Sequence, residues 1–225
     1  MSFKSRLRQF LRTFLRVTNS EIHDTDLEYL LWITSLYNEI RLVPGHIAEV
    51  GVAAGRNTVL FGKLIKLFND TNVRQYVGFD TFDGYLQRDL KRDSHLNDEV
   101  WKGGIYTKEA VENRCGLADV LESVELFKGD ATDTVPLVLS NHQGKLFQPG
   151  KSIFSLLYID CNAYEPAISS MRNFYQHMAN NSIIAIDEKL QGGETEALID
   201  FAQEKKQRIT RQGPNSVPMM IKIEK

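Results

Sequence analysis

Acidic side chains stand at the ends of several short apolar runs in this 225-residue sequence. The runs at 76–79, 124–127, 153–159 and 182–186 are followed, directly or after a short turn, by Asp80, Asp130, Asp160 and the pair Asp187-Glu188. If these runs are parallel strands, their carboxyl ends meet at one edge of a sheet, where open α/β folds bind ligands. Grouped carboxylates repel one another, so such a site suits a cationic ligand or a hard metal ion.

A glycine turn follows the first apolar strand, predicted at Ile47–Val50. Gly51 and Gly55 form this turn, and a helical pattern continues from it to about Phe68. Such a turn lets the backbone approach a nucleotide-like ligand and directs the N–H groups of a helix N-terminus towards it.

Three polar residues flank the glycine turn. We expect Glu49, inside the strand, to meet an ammonium group of the ligand. We expect Asn57 and Thr58, at the helix start, to contact a ligand carboxylate; capping the helix is the alternative role for both.

Two of the strand-end acids are predicted to contact a nucleoside. Asp80 could accept hydrogen bonds from ribose hydroxyls, with Thr81 and Phe82 next to it in the following loop. Asp130, preceded by Gly129, could accept from an adenine amino group, while the Ala131 N–H donates to the ring. The alternative for both acids is a turn or helix-capping residue.

The last two strands end on acids that could share a cation. Asp160 and Asp187 would repel one another unless a hard, oxygen-preferring ion such as Mg²⁺ lies between them. Asn162 and Glu188 could complete its ligand set. The alternative is that one acid pairs with a buried Arg or Lys while the other caps a helix.

Strands alternate with helices along the chain, which indicates a doubly wound, mostly parallel α/β sheet of the Rossmann-like type with seven strands. Two closing strands near 208–211 and 218–224 predict an antiparallel edge. A helix over about 26–40 is expected to bury Leu27, Leu30, Leu31 and Ile33. We also predict a helix starting at Val135, and another with Pro166 at its first position.

The stretch from Leu86 to about Gly104 is polar and aperiodic, and loops of this length often serve as lids. His95 lies in it and is a candidate general base, since neutral histidine is a common one. A surface histidine without a catalytic role is an equally good interpretation.

Charge is unevenly distributed along the chain. The formal net charge is -2, yet residues 1–20 carry five basic groups and no acid, so the body of the protein is acidic. An acidic body argues against nucleic-acid binding. The 2 cysteines are too few for a disulfide framework or a thiolate metal site, which favours a reducing, cytoplasmic setting. No apolar run approaches the roughly 18 residues that span a bilayer.

Residues 3–17 form a basic amphipathic pattern with apolar residues at helical spacing. We expect a helix that packs on its own domain or on a second subunit. Weak contact with an anionic membrane surface or with a partner is a second interpretation, and a disordered tail is a third. We therefore assign 1–20 to an N-terminal extension and 21–225 to one domain.

The sequence resembles the class I S-adenosylmethionine-dependent methyltransferases and, more narrowly, the metal-dependent sugar O-methyltransferases of the macrocin and mycinamicin type. The resemblance extends from about residue 26 onward. Its motifs are Glu49-Val50-Gly51-Val52 with Gly55, Gly78 to Gly84, Gly129-Asp130, Tyr158-Ile159-Asp160 with Tyr164-Glu165, and Ile186-Asp187-Glu188. The most specific motif is the Phe-Asp-Thr-Phe-Asp-Gly element at 79–84.

This resemblance implies a methyltransferase domain at 21–225, an S-adenosylmethionine donor, a bound Mg²⁺ and a hydroxylated acceptor. Asp160, Asp187 and Glu188 would be the metal ligands, and Asp160 would thereby serve catalysis. The family usually has Asp-x-Asp where this chain has Asp160-Cys161-Asn162, and Asp-Asp where it has Asp187-Glu188. Asn and Glu still offer oxygen ligands at these positions.

Our prediction is a cytoplasmic, homo-oligomeric, Mg²⁺-dependent O-methyltransferase that acts on a small, sugar-like metabolite of natural product biosynthesis. Three alternatives remain open. A dinucleotide-dependent oxidoreductase would need Gly-x-Gly-x-x-Gly, which the turn at 51–56 lacks. A phenol or catechol acceptor is compatible with the same acids. A non-catalytic donor-binding scaffold, acting through its N-terminal helix, is the third.

Overall fold

The computed structural model of the protein describes residues 24–96, 106–141, 152–187, 192–210 and 219–225. The chain divides into two compact units, Met1–Ser35 and Leu36–Lys225. The described part of the first unit is the beginning of helix α1, which ends in the second unit at Ile40. All other described elements belong to the second unit.

Helices and strands alternate through the second unit, as the sequence pattern predicts. The helices are α1 (Asp24–Ile40), α2 (Arg56–Leu67), α3 (Gln87–Arg92), α4 (Lys108–Leu117), α5 (Ala131–Asn141), α6 (Tyr164–Tyr175) and α7 (Gly193–Lys205). The strands are β1 (His46–Val50), β2 (Tyr76–Asp80), β3 (Val124–Lys128), β4 (Phe154–Ile159), β5 (Met178–Ile186), β6 (Ile209–Thr210) and β7 (Met220–Lys222). None of the described helices is long and apolar enough to cross a bilayer.

The strands form one sheet of 7 strands in the order β3-β2-β1-β4-β5-β7-β6. Strands β1 to β5 pair in parallel, whereas β7 pairs antiparallel with both β5 and β6. The fold class predicted from sequence, including the antiparallel edge, is therefore confirmed. Every residue of β4 is buried, as expected for a strand covered on both faces.

The register brings the carboxyl ends of the parallel strands to the same level. Val50 pairs with Phe79 on one side and with Ile159 on the other, and Ile159 pairs with Ile186. The chain winds outward through β2 and β3 on one side of β1, and through β4 and β5 on the other. The gap beyond β1 and β4 is thus the topological switch point, where such folds bind ligands.

Several predicted element boundaries differ from the structure. Helix α5 begins at Ala131 rather than Val135, so that it starts directly after the acid that ends the β3 turn. Helix α6 begins at Tyr164, which puts Pro166 at the third helical position, still within the first turn where its missing N–H is harmless. The predicted lid loop contains the short helix α3.

The predicted buried face of α1 was wrong. Leu27, Leu30 and Leu31 are exposed by 46%, 42% and 61%. Of the four residues predicted to be buried only Ile33 is buried, together with Leu36 and Tyr37, which were not predicted. The run from Leu30 to Ile33 is continuously apolar, so periodicity alone does not identify which face of this helix is buried.

Candidate functional site

A cavity lies at the switch point, beyond the carboxyl ends of β1, β2, β3 and β4. The predicted site residues that line it are Gly51, Asp80, Thr81, Phe82, Gly129, Asp130, Ala131 and Asp160. Asp83, Tyr85, Asp89, Tyr106, Cys161 and Asn162 are among the residues that complete its wall. Among the described lining residues every charged side chain is an acid. The cavity therefore suits a ligand that carries positive charge.

Local geometry explains the glycines of the first turn. A Cβ atom at Gly51 would collide with the backbone carbonyl of Asp160, so the turn packs directly on the end of β4. Gly55 has φ 76° and ψ 28°, a left-handed conformation that side chains disfavour, and it begins α2. A Cβ atom at Gly55 would collide with Val111, and Gly55 is not among the described residues that line the cavity.

Asp80, at the end of β2, forms hydrogen bonds to this turn. Its Oδ2 accepts hydrogen bonds from the backbone N–H groups of Val52 and Ala53, both at 2.8 Å. Its Oδ1 accepts from the Phe82 N–H at 2.6 Å. A carboxylate has about four acceptor positions, so Asp80 retains one for a ligand hydroxyl.

A buried polar network lies behind the turn. Asn57 donates from Nδ2 to Glu49 Oε1 at 2.6 Å and to Asp160 Oδ2 at 3.2 Å. Glu49 is fully buried and also accepts from the Tyr76 hydroxyl, which in turn bonds Thr58 Oγ1 at 2.9 Å. Burial raises the pKa of Glu49 well above its ordinary value, and the bond from Asn57 opposes the rise.

This network places three of the predicted ligand contacts behind the cavity wall. Glu49, Asn57 and Thr58 are not among the described residues that line the cavity, and Thr58 is fully buried. Both carboxyl groups lie at Nδ2 of Asn57, which assigns its amide with Nδ2 towards them and Oδ1 away from them. Its Oδ1 is buried and has no hydrogen-bond partner among the residues that the structure describes.

Acids surround the end of β4. Burial raises the pKa of Asp160 well above its ordinary range, and repulsion by Asp187, Glu194 and Glu49 raises it further, against the bond from Asn57. Asp187 follows β5 and accepts from the Tyr158 hydroxyl at 2.5 Å. Such hard oxygen donors match the ligand preference of Mg²⁺.

The described residues contain no group of three or more His, Cys, Asp or Glu arranged to hold a metal ion. Glu188, the third predicted ligand, lies outside them. The metal assignment of Asp160, Asp187 and Glu188 stays a prediction.

At the other end of the cavity, Asp130 is engaged by an arginine that sequence inspection did not single out. Arg88 of α3 contacts Asp130 Oδ2 through Nη1 at 2.8 Å and Oδ1 through Nη2 at 3.3 Å. The Thr132 N–H donates to Asp130 Oδ1 at 3.0 Å. Burial alone would raise the pKa of Asp130, but Arg88 and Thr132 hold it below its ordinary value.

The structure separates His95 from the other candidates. His95 lies on an exposed stretch after α3 and is not among the described residues of the cavity wall. Conversely, sequence analysis passed over Arg88, Asp89 and Glu194. Arg88 and Glu194 contact residues far away in sequence, Asp130 and Asn162, and each of the three looked like an ordinary surface or helix-start charge.

Fold and site together define a Rossmann-like protein of the class I methyltransferase type, with its cavity at the switch point. A profile of the methyltransferase-domain family matches residues 48–188, more than half of the chain, so the protein belongs to that family. The prediction of an S-adenosylmethionine-dependent methyltransferase is thereby confirmed. No curated protein matches the sequence significantly.

Solved structures with the same fold include several O-methyltransferases. CalS11, a TDP-rhamnose 3′-O-methyltransferase of calicheamicin biosynthesis, is 24% identical with TM-score 0.68, over 97% of this chain and 92% of that chain. The O-methyltransferase NovP is 18% identical with TM-score 0.71, over 88% and 80%. TomG from Streptomyces achromogenes, solved with SAM, is 11% identical with TM-score 0.55, over 91% and 82%. At these identities the likeness establishes the fold.

Proposed function

We propose that this methyltransferase transfers a methyl group from S-adenosylmethionine to a hydroxyl of a small, polyhydroxylated, sugar-like metabolite, with Mg²⁺ bound at the acceptor end. The observation that carries the proposal is the acidic cavity at the switch point. Its wall combines the glycine turn with Asp80, Asp130 and Asp160, and its charged described residues are all negative. The donor is a sulfonium ion with an ammonium group. Arg88 balances Asp130 and Asp89, so the remaining acids of the wall supply the negative charge that favours its binding.

The donor would lie across the ends of β1, β2 and β3. Its ribose would meet the remaining acceptor position of Asp80, with Thr81 and Phe82 beside it, and its adenine would meet Asp130. As the first residue of α5, Ala131 has no intrahelical partner for its N–H, which would donate to the ring. Gly129 has φ 146° and lines this part of the cavity.

The amino-acid end of the donor would lie near Gly51 and Asn57. The Oδ1 of Asn57 is buried outside the cavity lining and lacks a partner in the described structure, so it would accept a hydrogen bond from the donor ammonium only after a local opening of the glycine turn. Glu49 would act on the same group through Asn57, whose amide it orients. Thr58 would support this end indirectly through Tyr76, the residue that contacts Glu49.

The reaction would proceed by in-line displacement. The acceptor oxygen forms a bond to the donor methyl carbon while the carbon–sulfur bond breaks, and its electron pair remains on sulfur as a neutral thioether. The hydroxyl proton passes to a general base or to solvent water. The chain's task would be to orient the two partners, with Asp160 accepting a hydrogen bond from the acceptor hydroxyl. His95 remains a candidate base that would have to approach the site from its observed position.

The acids at the ends of β4 and β5 carry carboxylate oxygens, the ligand type that Mg²⁺ prefers. Asp160, Asp187 and Glu188 would hold the ion, with a carbonyl oxygen from Asn162 as a further ligand. When bound, Mg²⁺ would lower the pKa of a coordinated hydroxyl and orient neighbouring acceptor oxygens.

A methyl-transfer assay tests the proposed reaction. The protein with Mg²⁺ and methyl-labelled S-adenosylmethionine would be incubated with TDP-rhamnose, methyl α-L-rhamnoside or catechol. We expect label transfer to a sugar hydroxyl, and its loss when Mg²⁺ is chelated. Transfer to catechol alone would contradict the acceptor class. Donor binding without transfer to any of the three would favour a scaffold role.

The remaining assignments rest on sequence. We propose that residues 1–20 form an N-terminal extension to a methyltransferase domain at 21–225, that the protein is a cytoplasmic homo-oligomer, and that residues 1–17 contact a second subunit or, weakly, an anionic membrane. Residues 1–23 lie outside the described structure. Sedimentation of the full chain, with and without anionic vesicles, would test both contacts.

A further inference from the structure

Arg88 links two acids of the cavity wall that come from different elements. Its guanidinium contacts Asp130, which follows β3, and also Asp89 of its own helix, at 2.9 Å from Nε to Oδ1 and 3.3 Å from Nη2 to Oδ2. Asp89 is 4% exposed. Burial raises the pKa of Asp89, and repulsion by Asp130 adds to this, whereas Arg88 opposes both. One cation thus compensates two partly buried anions.

The same contacts determine which hydrogen bonds Asp130 can still make. Its Oδ1 is bound by the Thr132 N–H and by Arg88, and its Oδ2 is bound by Arg88. With about four acceptor positions on a carboxylate, one position remains, on Oδ2. Because Arg88 keeps Asp130 ionised, this position can accept a hydrogen bond but cannot donate one.

We propose that Arg88 is a positioning residue that makes the donor pocket selective for a 6-aminopurine, by holding Asp130 as a fixed, acceptor-only group. This inference rests on the proposed function, in which Asp130 faces the adenine ring. An amino group satisfies the open position on Oδ2. A 6-oxo purine would place a carbonyl oxygen against the carboxylate, which leaves two acceptors facing each other.

Without Arg88, Asp130 would lose this constraint. The carboxyl group would sit near Asp89 with no cation between them, and taking up a proton would relieve their repulsion. A protonated Asp130 can donate a hydrogen bond to the carbonyl oxygen of a 6-oxo purine, so the pocket would bind this base as well. A role confined to holding α3 in place would instead weaken every donor-site ligand by the same factor.

The test compares S-adenosylhomocysteine with S-inosylhomocysteine, which differs from it at the 6-position of the purine. Calorimetry on the full chain at pH 6.5 should give wild-type protein at least a tenfold preference for the adenosine ligand, the usual effect of one hydrogen bond to a charged group. We expect the preference to fall below about threefold in Arg88→Ala and Arg88→Gln. Arg88→Lys keeps the charge but not the paired contacts with Asp130 and Asp89, so it should give a preference between those of wild type and Arg88→Ala.

Arg172→Ala is the matched control, because it removes an exposed arginine–carboxylate pair of similar length, 2.8 Å to Glu204, between α6 and α7. It should leave both affinities unchanged. Equal weakening of both ligands in the Arg88 variants would overturn the proposal, as would a wild-type protein that binds both ligands equally. If wild-type protein bound neither ligand, the proposed function itself would fail. Thermal melting of each variant verifies that it is folded.

Discussion

Replacing Asn57 by alanine should weaken donor binding and folding together, because one side chain serves both. Asn57 is 5% exposed and donates to Glu49 at 2.6 Å and to Asp160 at 3.2 Å. Leaving a buried polar group without its hydrogen-bond partner costs about 1–3 kcal/mol, and the longer bond belongs at the lower end. Since Glu49 retains its bond from Tyr76, we expect a loss of about 2–4 kcal/mol in unfolding free energy.

Two measurements separate the effects of this substitution. For a chain of this length the stability loss corresponds to a melting temperature about 5–15 °C lower. Donor binding is compared with S-adenosylhomocysteine and 5′-methylthioadenosine, which lacks the amino-acid end. We expect a loss of about 10- to 100-fold for the first ligand, as for one hydrogen bond to an ammonium group, and less than threefold for the second.

Asn173→Ala provides the matched control. The amide of Asn173 donates to the neutral backbone carbonyl of Ser169 at 2.8 Å, on α6 and away from the cavity wall. It should lower the melting temperature by a few degrees at most and leave both affinities unchanged. If Asn57→Ala weakened both ligands equally, or neither, the contact of Asn57 with the amino-acid end would be refuted.

Three further substitutions test other parts of the site. Asp80→Ala removes the acceptor of three backbone N–H groups and the proposed ribose contact, so calorimetry should show S-adenosylhomocysteine binding at least tenfold weaker; unchanged affinity would exclude the ribose contact. Asp160→Ala should abolish Mg²⁺-dependent methyl transfer while donor affinity changes little, and wild-type turnover would exclude the metal role. The pKa of Glu49 is higher in the folded than in the unfolded protein. The protonated side chain therefore stabilises the wild-type fold below the unfolded-state pKa, and this stabilisation is lost as the pH rises. Glu49→Gln removes this pH dependence. Urea unfolding should therefore show the stability of the Gln variant relative to wild type increasing from pH 4 to pH 7, and parallel pH curves would contradict this.

Sequence predicted the sheet well because its strands are strong local signals. The apolar run that became β4 is bounded by polar residues, and Asp160 directly follows it, so both the strand and the acid could be assigned. The start of β5 could not be assigned from the sequence, because Asn180 and Asn181 are exposed polar residues inside the strand. The φ of Asn181 is 64°. Tertiary pairing with β4 and the C-terminal residues overrides their low strand propensity.

Site residues that directly follow a strand could be predicted from the sequence. Contacts between residues far apart in the sequence could not. Asp80 and Asp130 could be placed because topology alone brings strand ends together. The contact of Arg88 with Asp130 joins residues separated by 42 positions in the chain, which no local pattern encodes. Glu49 was expected to face the ligand, yet its position inside β1 buries it and leaves Asn57 between it and Asp160.

The most direct test of the central claim is calorimetric titration of the full chain with S-adenosylhomocysteine, with and without Mg²⁺. The acidic cavity with its glycine turn predicts saturable binding of one ligand per chain in the micromolar range, largely independent of the metal, because the proposed metal ligands Asp160 and Asp187 belong to the proposed acceptor end. Absence of binding in both conditions, from protein that melts cooperatively, would contradict the assignment of this cavity as a donor site.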